Sequence, residues 1–102
     1  MITYTDYAGR SIRLTDERLE HIERRPELRE QRDRIEETLR EPDEVRESDH
    51  DDAVHLYYRH YRSTPVTEKW LLVISKITIQ DPFVITAFYT DRLKSGTVVA
   101  RP

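Results

Sequence analysis

Lys69-Trp70-Leu71-Leu72-Val73-Ile74-Ser75-Lys76-Ile77 is almost continuously apolar. A short run rich in Leu, Val and Ile, with no helical spacing of polar positions, reads as a strand buried on both faces. Such a strand needs a neighbour on each side. Ala53–Arg62, upstream, is a long aromatic strand, and Phe83–Thr90, downstream, is a second strong strand. Ser63-Thr64-Pro65 and Gln80-Asp81-Pro82 break the chain between them. Connections this short predict three adjacent antiparallel strands with 69–77 in the middle and Val73 and Ile85 in the core. A short edge strand around Val45, between Asp43 and Ser48, completes a four-stranded antiparallel meander over 43–90, with His50-Asp51-Asp52 as a turn.

The chain before the meander reads differently. Ile2–Thr5 and Ser11–Leu14 are short extended segments with a turn signal at Ala8-Gly9, so residues 1–14 form an arm or hairpin. Thr15 is a helix N-cap, followed by Asp16 and Glu17 where the helix dipole favours negative charge. Leu19 and Ile22 give that helix a narrow apolar face. Pro26 disfavours helical geometry at Arg25 and can open a second helix. Leu28, Ile35 and Leu39 lie on one stripe of that helix, which is expected to run to about Arg40. Glu41-Pro42-Asp43 ends it, and residues 91–102 read as a loop and frayed tail. The expected architecture is one α+β domain over 1–102: N-terminal helices over 15–41 packed on a four-stranded antiparallel β-meander.

The charge is split. Residues 1–52 carry ten arginines against seventeen acids; residues 53–102 carry seven Lys/Arg against three acids. An acidic helical layer on a sheet with a cationic surface follows, and an anionic ligand belongs on that surface. The 102 residues are 36% hydrophobic and 36% charged, so little apolar material is left for the surface. There is no cysteine, hence no disulfide framework and no thiolate metal site. No apolar run approaches the ~18–20 residues of a membrane span, and the N-terminus lacks the pattern of a signal peptide. These features lead to the expectation of a cytoplasmic protein with no membrane partner.

Several residues can carry chemistry. On the aromatic strand His55, Tyr57, Arg59 and Tyr61 share one face, opposite Val54, Leu56, Tyr58 and His60. Arg59 between two tyrosines can bind a phosphate while rings stack on bases; a solvated face of cross-strand aromatic pairs gives the same pattern. Lys76 interrupts the apolar run, either to hold an anion in a cleft or to emerge into water along its stem. Thr86 and Thr90 share a face, although threonine is common in strands in any case. His21 lies on the polar flank of the first helix and can act as a base near neutral pH. His50, Asp51, Asp52 and His55 fit neither zinc-helix nor calcium-loop spacing and read as an acidic turn, and with two glycines the chain has no Gly-rich phosphate loop. No metal and no cofactor are expected.

Four stretches in order carry a likeness: Leu14–Ile22 running into Arg24-Arg25-Pro26-Glu27-Leu28, then Ile35–Asp43, Leu71–Lys76 and Phe83–Thr90. Together they resemble the phage and polymorphic-toxin nucleases of the barnase–EndoU–colicin–RelE-like superfamily, in its small phage-type branch, over about residues 12–94. The resemblance implies helices on a four-stranded sheet and metal-independent RNA cleavage by ribose 2′-hydroxyl attack. It implies His21 as base or acid, with Lys76 and Arg59 on the phosphate and Thr86 and Tyr89 positioning the backbone. Arg25, Tyr57, Tyr61 and Thr90 complete the expected substrate contacts. Relatives often carry histidine where this chain has Arg25, which binds phosphate but cannot serve as a base. RNA is the expected partner, with an antitoxin or immunity protein and a second copy of the chain as further ones. The alternative is a non-catalytic binding module on the same fold. Lys76 is expected on the same sheet face as Arg59, or within reach of His21.

Overall fold

The computed structural model describes residues 1–102. Seven strands form one mixed sheet: β1 (Ile2–Thr5), β2 (Ser11–Leu14), β3 (Glu44–Glu47), β4 (Val54–Tyr61), β5 (Lys69–Lys76), β6 (Phe83–Thr90) and β7 (Thr97–Ala100). Their order across the sheet is β1-β2-β6-β5-β4-β3-β7. The antiparallel run β3-β4-β5-β6 is its centre, with β5 between β4 and β6 as the apolar run demanded. The sheet nevertheless exceeds the expected four strands. The β1–β2 hairpin adds to β6, with β2 parallel to it at Arg13–Phe83. β7 pairs with β3, so the strand around Val45 is covered and is no edge, and the tail is a strand. Four-residue strands such as β1 and β7 are too short to declare themselves by periodicity.

Two α-helices, α1 (Asp16–Glu23) and α2 (Arg32–Arg40), lie between β2 and β3 in the chain. Thr15 caps α1, its hydroxyl accepting from Arg18 N–H at 3.2 Å. The expected second helix is broken. Pro26–Leu28 is a single 3₁₀ turn, Arg29 is extended, and Glu30 takes a left-handed φ of 60° before α2 begins. Leu28 is buried with Ile35 and Leu39 all the same, which is why the apolar spacing concealed the break. No helix is long and apolar enough to cross a membrane.

One sheet face carries the main core, in which Leu19, Ile22, Leu28, Ile35 and Leu39 meet Val45, Tyr57, Leu71, Val73, Val84 and Ala87. Asp6, with a fully buried side chain, ties the hairpin to β4. Its Oδ1 accepts from the Ala8 and Arg10 amides, and its Oδ2 accepts from Arg10 Nε at 2.9 Å and from the Tyr57 hydroxyl at 2.7 Å. The other face holds a smaller cluster of Leu56, Tyr58 and Leu72, with Val54, Trp70, Ile74, Phe88 and Leu93 around it. No helix covers that open face. It is crossed by a strap, Asp91–Gly96, running from β6 to β7 over β5, β4 and β3. Four inter-strand spacings are roughly 19 Å, and seven Cα steps reach at most about 25 Å, so the strap has little slack.

A bulge between Ile74 and Ser75 shifts the β5–β6 register, so that Ser75 faces Val84. Val84 is therefore buried and Ile85, expected in the core, is only half-buried. Val73→Ala is expected to cost about 2 kcal/mol and Ile85→Ala clearly less, read as urea midpoints. His55 is buried, with Nδ1 unpartnered. Burial first, and then the charge of Arg10, lower its pKa from 6.5, against the opposing pull of Glu47, Asp6 and Asp52. The unfolded chain thus binds a proton that the folded chain resists. Stability should fall as the pH drops below about 6.5, and His55→Gln should flatten that slope in melts between pH 5 and 7.

Candidate functional site

Sheet register sorts the candidate residues. Arg59 pairs with Leu71, Tyr57 with Val73 and Tyr61 with Lys69, so all of these face the helices. Tyr89, paired with Leu71, faces the same way. Their polar groups are engaged there. Arg59 reaches Glu37 at 3.3 Å and donates to the Glu41 carbonyl. The Tyr61 hydroxyl donates to Glu37 at 2.6 Å, and that bond, more than the nearby arginines, holds the Glu37 carboxyl below its ordinary pKa. The Tyr89 hydroxyl donates to Gln31 at 2.7 Å. Tyr57 is buried on Asp6, and burial with that bond drives its phenol pKa far up.

Lys76 is one step out of phase with Arg59 and lies on the open face, level with Val54 and Phe83. The expectation of a shared face is therefore wrong: positions 59 and 76 have opposite parity in this register. Lys76 is bonded to Asp51, and that bond together with the Ala53 amide lowers the Asp51 pKa.

The open face assembles a different set. Thr86, Phe88 and Thr90 have the same parity on β6 and meet Ile74, Leu72 and Trp70. Phe88 lies under two cations. The Arg25 guanidinium is 5.5 Å from the ring centroid and the Lys94 ammonium 5.7 Å. Arg25 comes from the link after α1, Lys94 from the strap. Cations over an aromatic ring stay solvated on their outer side and free to meet an anion. Thr86 Oγ1 is sequestered without a hydrogen-bond partner. Trp70 packs edge-on against both Tyr58 and His60, and His60 Nε2 is 3.0 Å from Glu68. His21 is exposed, and helical spacing puts it on the flank of α1 that leads to Arg25, opposite the flank where Glu20 and Glu23 line a cleft with Met1 and Ile2.

The open face therefore joins Arg25, Thr86 and Thr90, and His21, on α1, lies four positions before Arg25 in the chain. Lys76 is about 13 Å along the sheet from Phe88, four strand residues away. Phe88 and Lys94 were missed from sequence. Phe88 had a signal, sharing parity with Thr86 and Thr90; Lys94 sits in a loop whose path over the sheet no local pattern reveals.

The strap is fixed where it carries Lys94. The Lys94 amide donates to the Tyr58 hydroxyl at 2.8 Å, and its carbonyl accepts from Arg46 at 2.6 Å. Arg46 is held by Glu44, whose other oxygen accepts from Arg101 at 2.8 Å. These bonds, Arg101 foremost, lower the Glu44 pKa. Gly96 lets the strap descend onto β3, since a Cβ there would lie 2.4 Å from the Glu47 carbonyl oxygen.

Tyr57→Phe and Arg59→Ala are expected to lower stability by about 1–2 kcal/mol, because each strands a charged or buried partner. Arg25→Ala and Lys94→Ala should stay within about 0.5 kcal/mol of the parent in the same denaturation assay.

The family described as phage-Barnase-EndoU-ColicinE5/D-RelE like nuclease2 matches this chain over residues 2–99. No curated protein and no solved structure matches it.

Proposed function

The chain belongs to that phage-type nuclease family, and from this premise we propose that it is a metal-independent endoribonuclease whose active surface is the open sheet face. One observation carries the reading: Arg25 and Lys94, from opposite ends of the sequence, converge on Phe88. Two cations over one ring make a phosphate cradle whose apolar base repels water and strengthens the charge interaction.

In this reading His21 takes the proton from a ribose 2′-hydroxyl. The freed oxygen attacks the adjacent phosphorus, and the P–O5′ bond breaks. A 2′,3′-cyclic phosphate forms, and the departing oxygen is protonated from solvent. Arg25 and Lys94 offset the charge that builds on the phosphoryl oxygens. Thr90, whose hydroxyl bonds Arg92, and Thr86, whose hydroxyl is sequestered, shape the sheet surface under the backbone beside it. Arg25 replaces the histidine frequent in relatives with a permanent cation, which leaves proton transfer to His21. Lys76 holds a neighbouring phosphate once Asp51 yields, so its part is binding. Arg59, Tyr57, Tyr61 and Tyr89 have no part in this mechanism and act on the fold. A protein inhibitor, such as an antitoxin or immunity protein, would silence the enzyme by covering the open face.

The test is incubation of the purified chain with single-stranded RNA, with and without EDTA, followed by analysis of the new ends. Cleavage to 2′,3′-cyclic ends that persists in EDTA is expected. Arg25→Ala, Lys94→Ala and His21→Ala should each lose about two to three decades in rate, and Lys76→Ala less than one. Intact RNA across pH 5 to 9, or activity abolished by EDTA, overturns the reading.

A further inference from the structure

Beside the Phe88 cradle the open face keeps a cleft of about 480 Å³. Val54, Leu56 and Ile74 form its floor; Lys94 of the strap walls one side, and Asp49 and His50 of the β3–β4 loop wall the other. The floor residues are level with each other or one register step apart on β4 and β5, giving a flat aliphatic surface. Elsewhere the sheet covers such surfaces with helices, rings or the strap.

Both walls are fixed. The Lys94 backbone is held from either side by Tyr58 and Arg46. In the loop, the His50 amide donates to Ser48 Oγ at 3.2 Å, and the Ser48 amide donates to the Val54 carbonyl at 2.9 Å. Thr86, whose hydroxyl lacks a partner, is the cross-strand neighbour of Ile74. A slot of this kind fits a thin planar group with polar edges. Its faces would lie on aliphatic carbon, and its edges would meet a carboxylate, an imidazole and an ammonium.

Lys94 settles what kind of planar group. The residue that walls the cleft also places its ammonium over Phe88, the ring that Arg25 meets as well. An occupant must continue directly into an anion on the Phe88 side. We infer that the cleft is a subsite for one unpaired nucleobase of a bound single strand, with the phosphate next to it on Lys94. The inference rests on the open face being the nucleic-acid surface proposed above. A base inside a duplex cannot reach the floor, because its faces are stacked and the strap stands above the sheet. The chain therefore selects unpaired segments, and the fixed strap rather than base pairing sets that choice.

The experiment measures binding by anisotropy, and cleavage in parallel, with four probes: a labelled single-stranded RNA, the same sequence as a duplex, a base-free ribose-phosphate oligomer of equal length, and a mononucleotide as competitor. Val54→Trp fills the cleft and leaves Arg25 and His21, which do not line it, in place, and its melting curve reports folding. Ile74→Phe is a second, smaller filling. Single-stranded RNA should bind at least tenfold tighter than the duplex or the base-free oligomer. Val54→Trp and Ile74→Phe should erase that preference while leaving the base-free oligomer's affinity unchanged. Equal binding of all three polymers, or a preference that survives both fillings in folded protein, overturns the inference. Competition by the mononucleotide as strong as by the single strand also overturns it, since the cleft would then take a free ligand. Intact RNA together with the expected preferences would sink the nuclease reading and leave the base subsite standing.

Discussion

Side chains alternate across a strand, and in this chain the alternation of β4 and β5 decides what each face can do. β4 and β5 pair without interruption from Val54–Lys76 to Tyr61–Lys69. That register sends Tyr57, Leu71 and Val73 to the helices and Leu56, Tyr58, Leu72 and Ile74 to the other side. A slip of β4 by one residue would put His55, Tyr57 and Arg59 on the open face and strand Leu56 and Tyr58 under the helices. The buried bond between Tyr57 and Asp6 guards against such a slip, because Asp6 sits in the turn of the distant β1–β2 hairpin and accepts from Tyr57 at 2.7 Å. A carboxylate with no exposed surface and four donors around it tolerates no other partner set. The hairpin thereby fixes the phase of the central strand, and with it the composition of both faces.

The same phase explains the distribution of charge. On the helical side Arg59 of the sheet finds Glu37 of α2, while Arg34 of α2 lies over Tyr61 and donates to the Ser63 carbonyl. Cations on the open side have fewer carboxylates within reach. Lys76 has Asp51 and Arg46 has Glu44, but Arg25 and Lys94 rest on an aromatic ring. An aromatic face attracts a cation without neutralising it, so Arg25 and Lys94 keep their charge over Phe88 although the whole chain is net −3.

The legibility of this structure followed the range of the interactions. The three long strands and their order could be read because an apolar run of eight residues leaves few arrangements. The N-cap at Thr15 could be read because it is a local bond. The break after Leu28 could not, since the apolar spacing continues across it while Glu30 turns left-handed. The outer strands could not either: β2 joins β6, and β7 joins β3, across half the chain or more. Parity within β4 was correct, but parity between β4 and β5 depends on register, and the placement of Arg59 against Lys76 turned on it. The alternation that made Tyr57 and Tyr61 look like a stacking platform is the alternation that turns them to the helices, burying Tyr57 and half-burying Tyr61. Arg25 was legible as a candidate phosphate contact; its direction toward Phe88 was not.

The strap is where these constraints meet. It starts on β6, which presents Phe88, and ends as β7, which shields β3 from becoming an edge. With about 25 Å of reach for roughly 19 Å of sheet width, and with β7 beginning level with Ser75 rather than with Trp70, the partner of Thr90, it has little room to bow outward. Its path is set instead by two contacts at Lys94, one to a buried tyrosine hydroxyl and one to Arg46, and by the absent side chain of Gly96. Closing the sheet edge and holding Lys94 over Phe88 are thus one structural act. A longer connection would free β7 and let Lys94 swing into solvent, where an ammonium gains full hydration and loses the ring. The tautness that stabilises the sheet also removes, in advance, the entropy that a loop-borne cation would otherwise lose on meeting a phosphate.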